Sequence, residues 1–294
     1  MRMTTDLRLI KIATACSALL SGSAFAGAIT TTYSGTWNLP QYSSGTTVSP
    51  STNFSVSGVT PATDPPNLTN PSVKMSGWAN TAPASGTSEP YSGSASTRLE
   101  QAPVKSYNTY GIGVVNDNGS RNGESSSSGE HSMDNAGYGF IDSILFSFSH
   151  QITLTQITTG WVNGDSDITV LAYEGSGAPA LSGKTYGNLT AGGGWTLVGH
   201  TNGGNTKGTL DVASTPIKSQ YWLVSAYNTL VGGTCSGCTT SNDYVKLLQI
   251  AGKWDETTAS ADQPPSGVPE PASFLLLGLG LPLMRWSRRQ SWNG

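Results

Sequence analysis

Short runs of alternating apolar and polar residues, separated by glycine-rich turns, restrict most strongly how this chain can fold. In residues 140–149, the side chains of Ile144, Phe146 and Phe148 fall on one side of an extended strand. Further runs of this kind are residues 151–158, 167–174, 194–201, 220–227 and 243–250. A period of two with turn residues between the runs indicates β-strands, so we expect an all-β fold with a single, jelly-roll-like β-sandwich domain.

The first half of the chain is less regular than the second. The candidate strands there are residues 29–39, 53–59, 73–78 and 104–115. Ser-, Thr- and Pro-rich stretches at 61–71 and 81–89 are typical of surface loops. No fixed-period repeat is visible, so the pattern does not favour a solenoid or a propeller.

The N-terminus has the composition of a secretory signal peptide. A basic start and an apolar run at 12–20 precede Ala24 and Ala26, which are small residues at the −3 and −1 positions. We therefore expect residues 1–26 to direct export through the Sec translocon and to be removed by signal peptidase.

The C-terminus combines a short polar motif, an apolar run and a basic cluster. These are the motif Val268, Pro269, Glu270 and Pro271, the run 274–284, and the arginines Arg285, Arg288 and Arg289. The positive-inside rule keeps such arginines in the cytoplasm while the apolar run enters the bilayer. The run has eleven residues, fewer than the roughly 20 of a stable spanning helix, so we expect a transient anchor. The alternative is a buried C-terminal helix, but that helix would show polar residues at a helical period, and this run has none.

This tail resembles the PEP-CTERM sorting signal of Gram-negative bacteria, which membrane proteases called exosortases recognise. The resemblance implies that an exosortase is a partner. It also implies transient anchoring in the inner membrane, followed by release to the cell surface or the extracellular matrix. The expected organisation is a signal peptide (1–26), a β-sandwich surface domain (27–254), a flexible linker (255–267) and the sorting tail with its membrane helix (268–294).

A second resemblance lies in the body of the chain. Residues 130–135 read Glu-His-Ser-Met-Asp-Asn and precede the hydrophobic run at 140–148. This order resembles an exosortase-dependent surface protein family that shares a Glu-His-x-x-Asp-Asn segment, and the match spans about 27–253. The resemblance implies export and sorting, and it implies no catalytic activity.

The charge balance excludes a nucleic-acid partner. The full chain has 15 basic and 18 acidic residues, and removing the signal peptide and the tail after Glu270 takes away six basic residues and one acidic residue. Nine basic and 17 acidic residues remain, a net charge of −8. A protein with this charge has no basic footprint for nucleic acid and is compatible with divalent cations or with neutral polysaccharide.

Acidic residues in loops beside the strands suggest a calcium site. The candidate ligands are Asp117, Glu124, Glu130, Asp134, Asp142, Asp165 and Asp167. Calcium takes six to eight oxygen ligands from groups of this kind. The alternative is that these residues form Asx-turns without a metal.

The motifs do not assemble a catalytic site. His131 could pair with Asp134 or Asp142, but the sequence has no Gly-x-Ser-x-Gly elbow and no His-Glu-x-x-His zinc motif. Glu124 and Glu130 are close in sequence, but no motif identifies them as a glycosidase pair. We therefore expect no catalytic residues, and a carbohydrate-active enzyme is kept as an alternative.

Two further features concern the exported domain. Cys235 and Cys238 are the only cysteines left after export, and we expect them to form a structural disulfide in an oxidising compartment. Trp161 and Trp195 lie beside glycine-rich turns, where an exposed ring could stack on a sugar. Together these patterns predict a non-catalytic surface or matrix protein associated with exopolysaccharide, with a calcium-stabilised adhesin as a further alternative.

Overall fold

Fifteen β-strands and one short α-helix make up the described part of this computed structural model, which covers residues 28–60, 70–84, 92–116, 131–135, 139–212 and 216–259. The strands of the first half are β1 (Ala28–Asn38), β2 (Thr46–Thr47), β3 (Phe54–Ser55), β4 (Ser57–Thr60), β5 (Ser72–Ala82), β6 (Arg98–Ala102), β7 (Val104–Ser106), β8 (Ile112–Val114) and β9 (Met133–Asp134). Those of the second half are β10 (Asp142–Val162), β11 (Ile168–Tyr173), β12 (Trp195–Thr201), β13 (Thr209–Asp211), β14 (Ser219–Ala226) and β15 (Tyr244–Ala259). Helix α1 spans Tyr186–Thr190. The prediction of an all-β fold is confirmed.

Strand β10 belongs to two sheets at once. Its first half, 142–148, pairs with β5 and β14, and these strands continue into β6, β11 and β12 as sheet I. Its second half, 153–162, pairs with β15 and β13, and β15 continues into β1 and β4 as sheet II. The sequence predicted two strands here because the polar residues 149–151 interrupt the alternation. The chain instead remains extended through that stretch as it passes from one sheet to the other.

The main core fills the space between the two sheets. Ile144, Phe146 and Phe148 all point into it, as the alternation predicts. Trp37, Trp222 and Trp254 are its largest fully buried side chains. Apolar side chains of both sheets therefore share one core, which is the arrangement of a β-sandwich.

Sheet I is also covered on its other face. Leu171 and Leu223 point to that side and pack with Tyr186 and Leu189 of α1 and with Trp195. The Thr185 side chain caps the helix by accepting a hydrogen bond from the Asn188 amide. Burial on both faces explains why β11 is apolar along almost its whole length.

Other boundaries differ from the sequence prediction for local reasons. The run 104–115 is divided into β7 and β8 by a turn at Gly111, whose φ of +97° favours glycine. Strand β15 runs to Ala259, so residues 255–259, predicted as the start of the linker, are strand. The Thr32 hydroxyl of β1 donates to Asp255 across this extension (2.7 Å).

Residues Thr30–Glu256 form one compact unit. Within the described ranges, no helix is both long enough and apolar enough to cross a membrane. The signal peptide and the sorting tail predicted for the two ends lie outside the described residues.

Candidate functional site

Three aspartates meet where β10 leads into β11 and where β15 begins. Asp165 and Asp167 lie between β10 and β11, and Asp243 immediately precedes β15. One oxygen from each carboxylate lies within 4.8 Å of the others. Asp167 and Asp243 are fully buried, and Asp165 is half-buried. These three residues are called the carboxylate cluster below.

The cluster depends on a tight turn at Gly164. This residue has a φ of +79°, and a Cβ atom at this position would lie 2.3 Å from the carbonyl oxygen of Asn242. The close approach allows the Asp165 amide to donate to Asn242 (2.9 Å) and the Tyr244 amide to donate to Asp165 (3.2 Å). The turn after β10 is thereby fastened to the start of β15.

Backbone amides bind the two fully buried carboxylates. Asp167 accepts hydrogen bonds from the amides of Gly203 (3.1 Å) and Thr239 (2.8 Å). Asp243 accepts from the Asp167 amide (2.9 Å) and from the side-chain amide of Asn135. Among the described residues, every donor to these two carboxylates is neutral, so these hydrogen bonds leave their charge uncompensated.

The outer side of the cluster has few hydrogen-bond donors. The Asp165 carboxylate accepts from the Ser166 amide (2.8 Å). The Thr239 hydroxyl lies 3.1 Å from the other Asp165 oxygen and also contacts the side-chain oxygen of Asn242. A hydroxyl has one proton and can donate it to only one of these two acceptors at a time. An oxygen-rich, donor-poor group of this kind is suited to a cation.

Burial and mutual repulsion disfavour ionisation of the cluster. Burial raises the pKa of Asp243 to about 8, and the charges of Asp167 and Asp165 add to this effect, while hydrogen bonds from Asp167 and Asn135 oppose it. Burial also raises the pKa of Asp167. At neutral pH the cluster is therefore stabilised either by a bound proton or by a bound cation.

The dimensions of the cluster fit calcium. Calcium–oxygen distances are about 2.3–2.6 Å, so two oxygens on opposite sides of one ion are about 5 Å apart. The three carboxylate oxygens all lie within 4.8 Å of one another, so one ion of this size could contact all three. The Thr239 hydroxyl and the Asn242 side chain provide further oxygen atoms beside the cluster. The residues present could therefore hold one calcium ion.

The predicted ligand set agrees only in part with this geometry. Asp165 and Asp167 belong to the cluster, whereas Asp134 and Asp142 do not. Asp142 instead accepts a hydrogen bond from the Asn116 side chain (2.6 Å), and Asp134 acts on Lys246 through its charge. The predictions for Asp117, Glu124 and Glu130 fall outside the described residues.

Sequence reasoning missed Asp243 as a member of the carboxylate cluster. It lies 76 positions after Asp167 in the chain, and its adjacent Asn242 was the only local signal. Asn135, in the Glu-His-x-x-Asp-Asn segment, positions it. The Asn135 side chain accepts from the Asp243 amide (3.0 Å) and donates to the Tyr227 carbonyl (3.0 Å). The segment therefore contributes to the site through an amide that orients a carboxylate.

His131 belongs to an aromatic group beside this segment. Its ring stacks on Tyr107 with centroids 5.7 Å apart and an interplanar angle of 13°. The Lys246 ammonium lies 5.0 Å from the Tyr107 centroid and 3.5 Å from the Trp161 centroid. Burial lowers the pKa of Lys246 to about 8, and the charge of Asp134 opposes this effect. The group holds a buried cation against aromatic faces.

The two tryptophans proposed for sugar stacking have different surroundings. Trp195 is only 4% exposed and packs against Tyr173 with centroids 5.2 Å apart, so the prediction of an exposed ring is wrong. The reason is that Trp195 packs with α1 and with the apolar side chains on the outer face of sheet I. Trp161 is half-buried, and Lys246 occupies one face of its ring.

The predicted disulfide between Cys235 and Cys238 is confirmed. It closes a short loop whose next residue is Thr239, whose amide donates to Asp167 and whose hydroxyl lies 3.1 Å from Asp165. The loop also contacts Asn202, whose side chain donates to the Ser236 carbonyl (3.5 Å). The disulfide therefore restrains the residue that closes the carboxylate cluster.

Comparison with protein-family models, with curated proteins and with solved structures found no match. The predicted cleavage residues Ala24 and Ala26 lie outside the described residues. So does the predicted sorting motif with its three arginines.

Proposed function

We propose that this chain is an exported, exosortase-processed, non-catalytic protein of the cell surface or extracellular matrix that associates with exopolysaccharide. The observation that carries the proposal is the order of the C-terminal segments, in which a Pro-Glu-Pro motif, an apolar run and three arginines follow one another. This order suits a segment that enters the inner membrane with its arginines in the cytoplasm and its motif on the outer side. A protease on that side could then release the domain.

The described domain has features expected of an exported protein. Its two remaining cysteines form a disulfide, and such bonds persist mainly in oxidising compartments outside the cytosol. Its calculated net charge after processing is −8. These features support export and favour a partner that is not a polyanion.

The sorting proposal can be tested by mapping the C-terminus of the exported protein by mass spectrometry. In a host with its exosortase, we expect cleavage near Pro269–Pro271, and in the exosortase-deleted strain an intact tail. Glu270→Ala should prevent cleavage, and Ser266→Ala, four residues upstream, is the matched control. An intact tail in both strains would contradict the proposal.

We also propose a calcium-stabilised domain, as in an adhesin, because the carboxylate cluster gives this second function a specific observation. Three carboxylates share one pocket of neutral donors, and calcium would supply the missing positive charge. Calcium that binds only the folded state raises its stability. A chelator should therefore lower the melting temperature of the wild type and have little effect on Asp167→Asn. Asp211→Asn removes an exposed carboxylate elsewhere and serves as control, and a wild type insensitive to chelator would contradict this function.

A further inference from the structure

A groove of about 760 Å³ crosses the solvent side of sheet II. Strand β15 runs along its middle, because β15 pairs with β1 on one side and with β10 on the other, and β13 follows β10. Ala251 and Gly252 of β15 line the groove, and the small side chain of Ala251 leaves space above the strand. The volume lies within the range of about 300–1,000 Å³ typical of ligand sites.

The groove rests directly on the tryptophan layer of the core. A Cβ atom at Gly35 of β1 would lie 3.3 Å from the Trp254 ring, and one at Gly252 would lie 3.4 Å from the Trp37 ring. Both rings are fully buried. The backbone beneath the groove is therefore supported by closely packed aromatic rings, which favours a preformed site.

The lining contains several polar side chains and is close to neutral. Ser34 and Thr36 of β1 provide hydroxyls, and Asp211 of β13 is opposed by one cation, Lys253 of β15. The Gln156 side chain donates to one Asp211 carboxylate oxygen (2.9 Å) and thereby orients both groups. Among the described residues, no further hydrogen bond reaches the other Asp211 oxygen. That oxygen is available to accept hydrogen bonds from a ligand.

This chemistry distinguishes between classes of ligand. An extended peptide would bind by adding a strand to a free sheet edge, but β15 and β10 already pair on both sides. A polyanion would be repelled by an acidic protein. A neutral polymer rich in hydroxyls can donate to Asp211 and to the Thr36 hydroxyl, whose own proton is donated to Ser57, and can accept from Lys253 and Ser34 without leaving a buried charge.

We propose that this groove binds a strand of neutral polysaccharide lying across β1, β15, β10 and β13. The proposal rests on the proposed association with exopolysaccharide and assigns it a site. Recognition depends on hydrogen bonds rather than on the aromatic stacking expected from Trp161 and Trp195, because no aromatic side chain lines the groove within the described residues.

The test uses the exported protein purified from its producing strain and two probes from that strain. These are the neutral and the acidic fractions of its exopolysaccharide, separated by anion exchange, and binding is measured by affinity electrophoresis. We expect the wild type to bind the neutral fraction. Ala251→Trp should fill the centre of the groove and weaken binding at least tenfold. Gln220→Trp places the same ring at an exposed position of β14 in sheet I and should bind like the wild type.

A second variant guards against misfolding of the first. Asp211→Ala removes the oriented acceptor from an exposed position and should weaken binding at least fivefold without changing the melting temperature. If the wild type binds the neutral fraction and both groove variants bind it equally well, the groove is not the binding site, while the proposed association with polysaccharide is retained. If the wild type binds neither fraction, or only the acidic one, both the groove and association with neutral polysaccharide fail. The sorting experiment is independent of either result.

Discussion

The buried carboxylate of Asp243 should make the stability of the metal-free domain fall as the pH rises. The pKa of this group is about 8 in the folded protein, against an ordinary value of 3.8. Between these values the folded state holds a proton that the unfolded chain releases. The contribution of Asp243 to the free energy of unfolding therefore decreases by about 1.4 kcal/mol for each pH unit in this window and is constant above pH 8.

The expected change is large enough to measure by thermal melting. From pH 5 to pH 7 the free energy of unfolding should decrease by about 2.7 kcal/mol through Asp243. For a domain of this size, 1 kcal/mol shifts the melting temperature by about 2–4 °C, so a fall of about 5–11 °C is expected in the presence of a chelator. The assay is melting followed by circular dichroism in EGTA at pH 5, 6 and 7.

Two comparisons isolate the contribution of Asp243. The side chain in Asp243→Asn cannot titrate. The free energy of unfolding of this variant should therefore fall with pH less steeply than that of the wild type, and the two slopes should differ by about 1.4 kcal/mol per pH unit. Asp211→Asn should keep the steep dependence of the wild type. Asp255 has the opposite effect, because hydrogen bonding to Lys218 and Thr32 lowers its pKa, but its contribution is lost only at more acidic pH. The same pH dependence in the wild type and in Asp243→Asn would refute the reasoning.

Three other perturbations test the packing around the site. Replacing Cys235 and Cys238 by serine should destabilise the domain by about 2 kcal/mol in the chain-entropy model. It should also reduce the shift in melting temperature caused by calcium, because Thr239 is no longer restrained. An unchanged calcium shift would contradict the link between the disulfide loop and the carboxylate cluster. In urea titrations, Gly164→Ala should lower the free energy of unfolding more than Gly177→Ala does. Both glycines have a positive φ, but only at Gly164 would the added Cβ lie 2.3 Å from a backbone oxygen. Equal losses would count against the close approach. In the same titrations, Trp222→Ala should lower the free energy of unfolding by about 3–5 kcal/mol through cavity formation. Trp161→Ala should lower it clearly less, since Trp222 is fully buried and Trp161 is half-buried. The reverse order would contradict the assignment of the core.

Local patterning predicted which faces of the strands are buried. Ile144, Phe146 and Phe148 lie in the core because side chains of a strand alternate between its two sides whatever the strand pairs with. The disulfide could also be predicted from the sequence, since Cys235 and Cys238 are three positions apart and no other cysteine remains after export.

Burial that depends on distant elements could not be predicted. Trp195 follows a glycine-rich turn, a setting typical of exposed residues, yet α1 and the outer face of sheet I cover it. In the same way, residues 149–151 of β10 have no alternation of their own, and their extended conformation follows from the sheets on either side of them. Both outcomes depend on which segments pack together, and a local window does not contain that information.

The sequence by itself therefore determined the fold class, the inward faces of the main strands and the disulfide, because each depends on neighbouring residues. Only the tertiary structure brought Asp243 to Asp165 and Asp167, since the contact requires β15 to begin beside the turn that follows β10. It also decided that Asp134 and Asp142 lie elsewhere and that a groove crosses sheet II. A cluster of like charges and a groove across several strands are both products of strand pairing between residues far apart in the chain, so tertiary packing alone brings them together.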